Sequence, residues 1–115
     1  PVACAAGAAV LETILAPGFL DEMSKVALYF KNSLMAFQGM YPFVREVRGM
    51  GMMLGLELDM EGAPLVQAAY EAGIIINCAN KTVLRFLPPY TLTEREVDKL
   101  LVFLDKEFRK RSVAP

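Results

Sequence analysis

The apolar residues of this chain change their period at Pro42, and that change limits the folds open to it. Before Pro42, Leu20, Met23, Ala27, Phe30, Leu34 and Phe37 recur at alternating steps of three and four. Such spacing lays one apolar stripe along a helix. It predicts a helix from Leu20 to Phe37, with Asp21 and Glu22 at its favourable N-terminal end and Gly39 as its stop. After Pro42, Met52, Leu54, Leu56 and Leu58 alternate with Met53, Gly55 and Glu57. That is the period of a strand with one buried face. "FVREVRG" and "MGMMLGLEL" are therefore two consecutive strands.

The rest of the chain extends this pattern. Residues 2–15 are rich in Ala, the best helix former, and "APG" at 16–18 interrupts them. Residues 64–72 predict a short helix, with Pro64 at its first position and Gly73 past its end. "IIIN" at 74–77 reads as a strand, "CANKT" as a turn and "VLRFL" as the next strand, ended by Pro88 and Pro89. Thr93 and Glu96 form a T-x-x-E capping box before a helix with Val97, Leu100, Leu101, Leu104 and Phe108 on one face. Short strands with helices banked on one side predict a two-layer α+β domain with a mostly antiparallel sheet.

Composition narrows the partners. A length of 115 residues suits one domain, and an apolar share of 55% with mean hydropathy +0.36 argues for an ordered core. A net charge of −1 and a pI near 5.4 provide no basic surface for nucleic acid. No apolar run is long enough to span a bilayer, so no membrane partner is expected. Cys4 and Cys78 form no C-x-x-C pair and the chain has no His, which leaves zinc and His-based catalysis without ligands. Both thiols are expected to be buried, as in a cytoplasmic protein. The first residue is Pro and no Met occurs before Met23. The expectation is a piece of a longer chain.

Gly49, Gly51 and Gly55 do not make a phosphate loop, because no helix follows them. Arg85 stands out more, as a fixed positive charge inside an otherwise apolar strand. By residue type alone it either lies on the solvated face, pairs with an acid such as Glu57, or grips an anionic ligand. Arg48 reads as an inter-strand or interface ion pair. Asn77 and Thr82 read as satisfying backbone groups at the hairpin turn, and Lys81 as a solvated turn tip.

The stretches "PVACAAGAAVLETI", "VREVRGMGMMLGLEL" and "AGIIINCANKTVLRFLPPYTLTEREVD", in that order, resemble the C-terminal part of class III aminotransferases, most of all their acetylornithine branch. The resemblance runs the length of the chain. It implies the small C-terminal domain, residues 1–115, of a fold-type-I enzyme whose larger domain binds pyridoxal 5'-phosphate. It implies transfer of the side-chain amino group of N-acetylornithine to 2-oxoglutarate in arginine biosynthesis, by a homodimer. It also implies that Arg85 binds the substrate's α-carboxylate. None of Lys25, Lys31, Lys81, Lys99, Lys106 or Lys110 has the family's setting for the cofactor lysine, so no catalytic or cofactor-binding residue is expected within this chain. The chain alone is expected to be inactive and to hold no cofactor. An ornithine, succinylornithine or 4-aminobutyrate enzyme remains open, as does a free-standing α+β ligand-binding or interaction domain.

Overall fold

In the computed structural model, which describes residues 1–113, the elements run α1 (Val2–Ile14), α2 (Phe19–Met40), β1 (Val44–Met50), β2 (Met53–Leu58), α3 (Ala63–Glu71), β3 (Asn77–Ala79), β4 (Val83–Phe86) and α4 (Glu94–Val113). The four strands form one sheet in the order β1-β2-β4-β3, with every neighbouring pair antiparallel. This is the α+β, two-layer architecture expected, with helices on one face.

The sheet gives Leu54, Leu56, Leu58, Leu84 and Phe86 to a core completed by Phe30, Leu34 and Phe37 of α2, Leu65 of α3, and Val97, Leu104 and Phe108 of α4. At one end of this core Phe37, Tyr41, Phe43 and Phe108 pack ring against ring, with centroids 5.3–5.8 Å apart. Edge-to-face aromatic contacts add to the stabilisation from burial. The Tyr41 hydroxyl donates to Asp105 Oδ1 at 2.6 Å, so its polar end is satisfied where the ring is buried.

Several boundaries differ from expectation for identifiable reasons. The α2 helix continues through Gly39, which is not its stop. It ends at Tyr41, whose extended backbone (φ −124°, ψ 112°) is what a residue before proline prefers. In "MGMMLGLEL" Met50 closes β1 and Gly51 and Met52 are turn rather than strand, since Met50 and Met53 face each other across them. Gly49 has φ 138°, and a Cβ there would lie 2.1 Å from the Met53 carbonyl oxygen, so this hairpin end requires glycine.

The "IIIN" segment contributes only Asn77 to the sheet. Its partner β4 stops at Phe86, just before Pro88 and Pro89, which offer no N–H, so by register Ile74 and Ile75 fall beyond the end of the ladder. The turn is correspondingly short, since Cys78 and Ala79 belong to β3.

The first helix behaves unlike the rest. It buries none of its residues, and it meets α2 at a 75° bend. It projects from the body, giving a radius of gyration of 16.0 Å, against about 13 Å for a compact domain of this length. Cys4 lies on it and is exposed, which corrects the expectation of two buried thiols; Cys78 is half-buried. No single helix among the described residues is long and apolar enough to cross a membrane.

Candidate functional site

Arg85 sits one residue before the end of β4, directly opposite Gly55 of β2 on one side and Asn77 of β3 on the other. Its neighbours Leu84 and Phe86 point into the core, so strand alternation turns Arg85 to the face without helices, where it is exposed. No ion pair among the described residues involves it.

The acid next along the sheet is already taken. Arg48 bridges Glu46 at 2.8 Å and Glu57, and the bond to Glu57 is the main cause raising the Arg48 guanidinium above its ordinary value. Glu57 is therefore not the partner of Arg85, and Arg48 is the inter-strand ion pair expected of it. Between the two arginines Gly55 contributes no side chain. A Cβ there would press on Val83 Cγ1 at 3.3 Å.

Arg85 lines a cavity of about 360 Å³ at the end of the sheet, together with Ile74, Ile76, Asn77, Pro88 and Glu96. The Glu96 carboxylate faces back to Thr93, accepting from its backbone N–H at 2.8 Å and its hydroxyl at 2.9 Å. The backbone bond first, then the hydroxyl, holds that carboxyl below the usual glutamate range. This confirms the half of the capping box in which Glu96 reaches back; the Thr93 hydroxyl bonds the carboxylate instead of a backbone donor.

The cavity thus offers one fixed cation with uncommitted donors, a neutral carboxamide and an isoleucine wall. Chemically it suits a small molecule with an anionic head and an aliphatic body.

The other polar assignments divide. The Thr82 hydroxyl donates to the Asn80 carbonyl at 3.3 Å, as a turn residue should, and Lys81 is an exposed turn residue with φ 64°. Asn77 does not satisfy the turn. The side-chain bonds of this hairpin come from Cys78 and Thr82, while Asn77 faces the cavity beside Arg85. Counting register back from Arg85 across the turn is the signal that would have found it.

Among the described residues no lysine lines this cavity, so it offers no amine to the aldehyde of pyridoxal phosphate. Lys25 is held by Glu22 at 2.5 Å, Lys110 by Glu107 at 2.5 Å, and Lys31 donates to the Gly49 carbonyl at 3.0 Å. Lys81, Lys99 and Lys106 are exposed elsewhere.

The profile of the family "Aminotransferase class-III" matches residues 1–108. An acetylornithine aminotransferase of Caldanaerobacter subterraneus is 44% identical over 106 residues, covering 91% of this chain and 27% of that protein. One from Methanocaldococcus jannaschii is 40% identical over 108 residues, covering 94% and 27%. The chain therefore spans about a quarter of the length of the curated relatives it matches.

Among solved structures, the acetylornithine aminotransferase of Elizabethkingia anophelis superposes with a TM-score of 0.86 at 19% identity, over 96% of this chain and 30% of that one; this likeness is one of fold alone. The ornithine aminotransferase of Toxoplasma gondii gives 0.84 at 25% identity, over 97% and 28%. By its profile and its relatives, this chain belongs to the class III aminotransferase family.

Proposed function

We propose that this domain serves in an aminotransferase of its relatives' length, where it closes over an amino-acid substrate and Arg85 binds the α-carboxylate. The observation that carries the reading is a guanidinium without an acidic partner among the described residues, fixed near a strand end and lining a cavity. A guanidinium takes a carboxylate through two parallel hydrogen bonds, and a strand holds it more rigidly than a loop would.

The substrate favoured is N-acetylornithine, with 2-oxoglutarate as amino acceptor, in arginine biosynthesis; relatives at 40–44% identity bear the acetylornithine name. The remainder of such an enzyme supplies the pyridoxal phosphate, its lysine and its phosphate-binding residues, and the working unit is a cytoplasmic homodimer. Residues 1–115 alone hold no cofactor and do not transaminate.

Replacing Arg85 tests the assignment. In the full-length enzyme Arg85→Ala costs about 2–5 kcal/mol of transition-state stabilisation, the scale for removing one member of a bound charge pair. Steady-state kinetics with N-acetylornithine read this as a fall in kcat/KM. A value within about threefold of wild type (well under 1 kcal/mol) contradicts the assignment.

A further inference from the structure

We infer that Asn77 is a second substrate-binding residue, whose side-chain amide donates to the carboxylate held by Arg85. The inference rests on the reading of Arg85 as a carboxylate clamp and adds a residue to it.

The β3–β4 register sets Asn77 directly opposite Arg85. Facing residues in an antiparallel pair point to the same side, with Cβ atoms about 4.5–5.5 Å apart. Both side chains are exposed and both line the same cavity. Asn77 spends no side-chain donor on the hairpin, whose side-chain bonds are made by Cys78 and Thr82. On the other flank of Arg85 stands Gly55, which has nothing to offer a ligand. The only side chain paired with Arg85 across the sheet is therefore a neutral carboxamide.

The chemistry of the ligand explains that choice. A carboxylate has about four acceptor positions, and the fork of a guanidinium uses two. An adjacent amide N–H satisfies a third without adding charge and fixes the plane of the carboxylate relative to the sheet. An acid at 77 would instead pair with Arg85 and close the clamp against its ligand. The one acid lining the cavity, Glu96, is engaged by Thr93 on the α4 side.

The test is a set of variants at position 77 in the full-length enzyme, measured beside Arg85→Ala. Asn77→Ala is expected to raise KM for both N-acetylornithine and 2-oxoglutarate about tenfold, the lower end for losing a hydrogen bond to a charged group in a wet site. The accompanying change in kcat is expected to stay within about twofold, because a contact made equally in ground and transition states moves KM alone. Asn77→Ser, which keeps a donor, is expected to fall between wild type and Ala. Asn77→Asp is expected to raise KM more than Ala does. Thermal midpoints should match wild type, since the side chain supports nothing in the fold.

An unchanged KM in Asn77→Ala, with a fall in kcat/KM in Arg85→Ala, overturns the inference and leaves the clamp standing. An unchanged kcat/KM in both removes the clamp as well. A lowered thermal midpoint in every variant at 77, in step with KM, assigns Asn77 to the fold and also overturns the inference.

Discussion

The first and last helices of this domain use hydrophobicity in opposite ways. The α1 helix is largely small and apolar, with only Glu12 charged, and it buries nothing; Val10 and Leu11 remain 55% and 58% exposed. The α4 helix is crowded with charge, yet Val97, Leu104 and Phe108 are almost wholly buried. Spacing decides the difference. In α4 the apolar residues fall on one stripe that faces the sheet, and charges occupy the remainder. In α1 apolar residues surround the axis, which suits a helix enclosed by other structure rather than one half-sunk in its own domain. Composition therefore overstates how much of this chain is core.

The contrast can be tested by substitution, and the largest effect belongs to α4. Phe108 touches Phe37, Tyr41 and Phe43. Phe108→Ala is expected to lower the stability of the domain by about 3–5 kcal/mol, read from urea unfolding. A loss below 1 kcal/mol (roughly the size of a single methylene) would show that the aromatic cluster collapses around the cavity at little cost.

A smaller effect comes from the charged end of the same helix. Glu107 is buried and bonded to Lys110 at 2.5 Å and Arg111 at 2.9 Å, and these bonds, Lys110 first, hold its carboxyl below its ordinary value of 4.5. A depressed carboxylate contributes stability that is complete above its unfolded value. That stability is lost as pH falls through the folded value. Asp105, held low first by the Tyr41 hydroxyl and then by Arg109, acts in the same direction. Between pH 7 and pH 3 (a range of about four units around these carboxyls) the urea midpoint should fall. In Glu107→Gln it should fall less, and an identical pH slope in the two proteins would remove Glu107 from the acid response.

The smallest effect is expected on α1. Leu11→Ala should change the stability of residues 1–115 by no more than about 0.5 kcal/mol, as for any exposed position. A greater loss in the same unfolding experiment would mean that α1 packs on its own domain after all.

Legibility in the sequence followed the same division. The stripe of α2, the alternation of β2 and the apolar face of α4 were readable because one-sided burial imposes a period on the chain. Arg85 was readable as an anomaly, a charge in an apolar strand. Its freedom from an acid was not, since that depends on Arg48 reaching Glu57 first. Asn77 was hidden because a run of three isoleucines resembles a strand regardless of whether a partner exists. Only the proline-terminated β4 shows that the ladder begins at Asn77. Tyr41 ended α2 through its proline neighbour, a local rule that Gly39 obscured.

The carboxylate clamp is tested most directly by a crystal structure of the full-length enzyme with a bound amino-acid substrate or its product. The Arg85 guanidinium is expected to grip the α-carboxylate with two hydrogen bonds of about 2.7–2.9 Å. A guanidinium turned to bulk solvent, with the carboxylate held by other residues, would contradict the clamp.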